Sequence, residues 1–170
     1  MTLTSPFTLP FSPAVGVLMA VAGFALLPTA AIAATTNTTF TVSVAVPATC
    51  LISATALSFV AYTGVVDVAT SSISMTCSNT TNYNVGLNAG LASGATVSTR
   101  RMSNGANVIS YSLYSDPNRT LNWGQTVGTD TITGTGSGTT QVLTVYGRVP
   151  AGQFVTPGNY SDTIIATVTY

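Results

Sequence analysis

The chain has 170 residues, of which only 5% are charged: four Arg, four Asp, and no Lys, Glu or His. That inventory removes Ser-His-Asp and Cys-His pairs, Glu-x-x-His metal sites and Schiff-base lysines, so the reading is of a non-enzyme with no catalytic residue, no metal site and no cofactor. A formal net charge of zero, with no basic run, gives no footprint for nucleic acid, and a mean hydropathy of +0.47 with little self-repulsion favours a protein that assembles.

Residues 14–27 are almost wholly apolar and are followed by Pro28 and a small-residue stretch. This is the pattern of a secretory signal peptide, and the small-x-small triplet Ala31-Ile32-Ala33 assigns residues 1–33 to the leader. A membrane-spanning helix needs about 20 uninterrupted apolar residues. Pro28 breaks the run first, so no stable membrane insertion is expected after cleavage. The first twelve residues depart from the pattern in carrying no Lys or Arg.

Residues 34–47 open on a short polar lead and continue as an alternating strand, with Phe40, Val42, Val44 and Val46 on one face and Thr, Ser or Ala between them, until Pro47. Cys50 and Cys77 are the two cysteines, and in an exported chain an even count reads as one structural disulfide. Closing that loop constrains the unfolded chain by roughly 3 kcal/mol.

Period-two alternation then recurs at Leu57, Phe59, Ala61; at Ile73, Met75, Cys77; at Tyr83, Val85, Leu87; and at Ile109, Tyr111, Leu113. It ends with Leu143, Val145, Gly147, Val149 and the final row Tyr160, Asp162, Ile164, Ala166, Val168, Tyr170. Gly, Asn and Pro clusters separate the segments, the expected fold is an all-β antiparallel sandwich, and helix should be nearly absent. The glycine-rich stretch 134–138 reads as a loop or hairpin tip, because no Lys follows it and no strand-then-helix context surrounds it. Adjacent Arg100 and Arg101 read as solvated charge, Arg148 and Asp162 as candidates for an exposed pair, and Trp123 as core or surface anchor.

The two terminal strands stand out. Sandwich edges are normally blunted by Lys, Pro or a covering segment, and this chain has no Lys. An unprotected edge strand invites pairing with another chain.

Along the chain, Thr49-Cys50, "LSF" at 57–59, "ISMTCS" at 73–78, "RRMSNGA" at 100–106, "YSLYSD" at 111–116, "VYGRVPAGQ" at 145–153 and "GNYSDTIIATVTY" at 158–170 resemble the spore coat protein U domain family. That family includes subunits of archaic (Csu-type) chaperone-usher pili. The resemblance implies an incomplete immunoglobulin-like antiparallel β-sandwich over residues 48–170, completed by a donated strand. It makes residues 34–47 the donor segment, with Phe40, Val42, Val44 and Val46 as its inserting side chains, and Ile164, Ala166, Val168 and Tyr170 one wall of the acceptor groove. The implied partners are a periplasmic chaperone, an outer-membrane usher, and other copies or related subunits in a linear fibre. The implied place is the cell surface, reached through the periplasm, and the implied role is attachment and biofilm formation. A tip adhesin and a deposited coat protein are the alternatives, and the lesser alternative for residues 40–46 is an ordinary first strand folded in cis. One departure is Val60, where the family commonly has Gly.

Overall fold

β-Branched and small residues suit a pleated surface better than a helix, and the computed structural model, which describes residues 31–170, contains strands and no helix among the described residues. The leader assigned to residues 1–33 lies, through residue 30, outside the described residues. The chain divides into Met1–Ser43 and Val44–Tyr170. In the first unit, residues 31–43 form no strand.

Val44–Tyr170 carries eight strands: β1 (Cys50–Ala54), β2 (Asp67–Cys77), β3 (Asn82–Leu87), β4 (Arg100–Asn104), β5 (Asn107–Tyr114), β6 (Ile132–Thr135), β7 (Thr140–Val149) and β8 (Ala166–Thr169). They form two antiparallel sheets, β1-β2-β7-β5-β4 and β6-β3-β8. The longest ladder joins β2 to β7 from Asp67 opposite Val149 to Thr76 opposite Thr140. Alternation places Ile73, Met75 and Cys77 of β2, Val85 and Leu87 of β3, and Val145 and Val149 of β7 in one core, each at most 4% exposed. Trp123 belongs to that core: it is fully buried, and its indole N–H donates to the Val85 carbonyl at 2.8 Å. Cys50 lies opposite Cys77 in the β1–β2 register, and the two are disulfide-bonded.

Several expectations are corrected. Residues 40–46 alternate as a strand does but form none, since a strand exists only where its backbone finds a partner. Residues 57–61 likewise form no strand: Leu57 and Phe59 are half-buried with Ser58 exposed between them, but Ala61, expected to continue the inward row, is exposed. Conversely, β1, β4 and β6 were not expected; each is only four or five residues long. Gly134 is not at a hairpin tip but inside β6, opposite Tyr83, whose ring fills the space a Cβ would need. Arg100 is no solvated charge. It is fully buried and donates to the carbonyls of Asn88, Val97, Leu87 and Trp123. Burial draws its guanidinium down to about 10, still far above neutrality. Asp162 turns inward and accepts from the Tyr111 hydroxyl rather than meeting Arg148, which is exposed on β7.

A groove between two unpaired edges

The candidate site follows from where the ladders stop. β1 ends at Ala54, and after the bond from Thr55 N to the Ser72 carbonyl the chain leaves its neighbour. Among the described residues, the backbone groups of residues 56–62 then have no backbone partner. The segment alternates as far as Phe59 and then shifts phase, so that Leu57, Phe59 and Tyr62 are half-buried against the core while Val60 and Ala61 are exposed. Leu57 and Phe59 reach the core because Gly147 leaves room: a Cβ there would come within 2.9 Å of both side chains. Phe59 meets Tyr111 edge-to-face, with ring centroids 6.2 Å apart.

The facing edge is built by the chain between β7 and β8. Pro150 has no N–H to continue the β7 ladder, and Gln153 supplies the missing pairing with its side chain. Its Oε1 accepts from Ser110 N at 2.7 Å, and its Nε2 donates to the Ser110 carbonyl at 2.9 Å. Tyr62 fastens the same loop by donating to the Pro150 carbonyl at 2.7 Å. From there Tyr160, Asp162, Ile164, Ala166 and Val168 form one half-buried inward row. Ser161 exchanges two backbone bonds with Ser103, and Ile165 accepts from Asn88 N. By the period of two, the backbone groups of Tyr160, Asp162 and Ile164 point the other way, and none has a backbone partner among the described residues.

Between these two edges lies an open groove of about 950 Å³. Its floor includes Ile73, Leu113, Val145 and Val149, and no Arg lines it. Burial, and then the bond to Asp162, push the Tyr111 phenol far above its ordinary range, so it stays a neutral donor. Among the described residues, no three His, Cys, Asp or Glu side chains gather as a metal site would require. The arrangement offers apolar pockets flanked by strand edges that, among the described residues, have no backbone partner.

Of the residues assigned from sequence, Ile164 and Ala166 line the groove. Val168 belongs to the same inward row but lies in β8 opposite Val85, and Tyr170, beyond the last strand, is 58% exposed. Phe40, Val42, Val44 and Val46 are 82–88% exposed. The sequence reading did not assign Leu57 and Phe59 to the site, although their alternation was visible, nor Tyr160, Asp162 and Gln153.

Comparison with known proteins agrees with this architecture. A family model described as the Spore Coat Protein U domain matches residues 36–167. "Protein U" of Myxococcus xanthus is 41% identical over 107 residues, 59% of this chain and 59% of that protein, so the chain spans about three-fifths of the curated relative it matches. Among solved structures, the chain resembles one from the CsuC-CsuE chaperone-tip adhesion subunit pre-assembly complex of the archaic chaperone-usher Csu pili of Acinetobacter baumannii. The TM-score is 0.57 at 22% identity, covering 74% of this chain and 40% of that one.

Proposed function

We propose that this chain, which belongs to the Spore Coat Protein U domain family, is a structural, non-enzymatic subunit of a surface fibre of the chaperone-usher type. Subunits join when the segment at residues 40–46 of one copy, or of a related subunit, fills the groove of the next. The observation that carries this reading is the groove itself, an apolar-floored trough whose two edges, residues 56–62 and the row Tyr160, Asp162 and Ile164, keep backbone groups without a backbone partner among the described residues. A donated strand would bury Phe40, Val42, Val44 and Val46, now exposed, at about 1.5 to 3 kcal/mol each. That sums to an upper value of roughly 6 to 12 kcal/mol per joint before ordering costs. Ladder bonds to both edges add affinity, and the pockets select alternate side chains. Such a contact runs head to tail, so it propagates as an open fibre.

On this reading the chain is exported through the periplasm, is held by a chaperone whose strand occupies the groove in transit, passes an outer-membrane usher, and serves attachment and biofilm formation at the surface. The likeness to a subunit solved with its chaperone supports the chaperone step. The family description favours a second reading, a coat protein deposited around a spore or cell.

The test is a gel of cell-surface material with and without boiling, for the full chain and for a chain lacking residues 39–46. Strand exchange requires a ladder that collapses on boiling and that the deletion abolishes. Monomer in every lane, with the deleted chain unfolded, would place residues 40–46 in their own sandwich and leave the coat or tip-adhesin reading.

A further inference from the structure

We propose that Asp162 is a positioning residue that holds the wall of the groove extended and in register before a donor strand arrives; this rests on the reading of the groove as a strand acceptor. Asp162 interrupts an otherwise apolar inward row, between Tyr160 and Ile164, and it lines the groove. A carboxylate so placed needs hydrogen bonds from all sides. It has three, from three separate stretches of chain. Oδ2 accepts from the Tyr111 hydroxyl of β5 at 2.7 Å, and Oδ1 accepts from Leu91 N and from Thr163 N, each at 2.8 Å. The carboxylate therefore joins the wall to the core strand β5 and to the turn that follows β3.

The turn is built to receive it. Gly90 has φ +88°, and a Cβ there would collide with the Asp162 carboxylate. Asn88 Oδ1 accepts from Gly90 N at 3.2 Å and from Ile165 N at 2.9 Å, adding a second tie to the same wall. From inside, the buried Arg100 fixes the turn by donating to the Asn88 carbonyl at 2.8 Å and the Leu87 carbonyl at 3.0 Å. Between the backbone ties at Ser161 and Ile165, Thr163 N is bound by the Asp162 side chain. Without that carboxylate, residues 162–164 hang between two points with an empty edge on the other side. A strand that docks there must then order the wall as well as itself, which weakens capture.

The experiment uses the full chain with Cys50–Cys77 oxidised. Uptake of a fluorescein-labelled synthetic peptide of residues 38–47, supplied in excess, is followed by anisotropy, and amide exchange is mapped by mass spectrometry on the same samples. Asp162→Ala should weaken uptake at least tenfold and speed exchange at Leu91 and across residues 159–165, while β2 and β7 keep their protection. Asp162→Asn, which retains Oδ1 for the Leu91 and Thr163 amides, should restore most of the uptake. Tyr111→Phe, which removes only the Oδ2 bond, should weaken uptake several-fold even if the alanine variant fails to fold. Wild-type uptake matched by Asp162→Ala refutes the positioning role alone, as does exchange that rises equally in β2 and β7. A wild-type chain that takes up no peptide refutes the acceptor reading and this role with it.

Discussion

A single charge in the donor segment separates strand exchange from folding in cis. Val44 is 88% exposed, so Val44→Asp should leave the Val44–Tyr170 unit within about 0.5 kcal/mol of wild type, as surface substitutions generally do. In a strand-exchanged joint the same change removes the burial of a valine, about 1.5 kcal/mol or more. It also inserts a carboxylate into a trough that no Arg lines, at a further several kcal/mol. A total of at least about 4 kcal/mol is about a thousandfold in the dissociation constant. The assay pairs a thermal melt of the purified chain with an unboiled gel of surface material. The expected outcome is an unchanged melt and a lost ladder. A ladder equal to wild type refutes the reasoning, and so does a melt many degrees lower, which would mean that Val44 packs inside its own fold.

Three further outcomes follow from the geometry. Replacing Cys50 and Cys77 by Ala releases a loop with a sequence separation of 27 and should lower stability by about 3 kcal/mol, read from urea unfolding with the reduced wild type as control. Gly147→Ala puts a methyl group within 2.9 Å of Leu57 and Phe59; overpacking of this kind costs about 1 to 3 kcal/mol, and peptide uptake should fall with the displaced rim. For Tyr111, whose folded pKa is raised, the unfolded phenol ionises first, near pH 10. The stability difference between wild type and Tyr111→Phe should therefore be constant below pH 10 and shrink by about 1.4 kcal/mol per pH unit above it, measured by denaturant melts across that range.

Periodicity made the long strands legible: the inward rows of β2, β3, β5 and β7 carry the alternating residues visible in the sequence. The short strands were not legible, because β6 is Ile-Thr-Gly-Thr and looks like turn sequence, and its pairing with β3 is decided by the chain that packs beside it. Alternation also cannot report whether a backbone has a partner. Leu57 and Phe59 alternate as well as Ile73 and Met75 do, yet one pair lies on an unpaired rim and the other in a ladder. One wall of the groove was named through the family resemblance, and of its residues Ile164 and Ala166 line the groove; the second edge is a gap in hydrogen bonding that no residue letter records. Arg100 was misread because an arginine letter suggests solvent, whereas four carbonyls converging from Leu87, Asn88, Val97 and Trp123 make its burial tolerable.

The disulfide has a mechanical consequence. Tension applied to the chain ahead of Thr49 reaches Cys50, the first residue of the five-residue edge strand β1, which alone could be peeled away one bond at a time. The bond to Cys77 provides a second path, into the end of β2. There the load is shared along the ladder with β7 from Thr76 to Asp67, in the interior of the five-stranded sheet. A pull on one end of the sandwich is thus carried by its longest pair of strands, and β1 can fray without the domain coming apart.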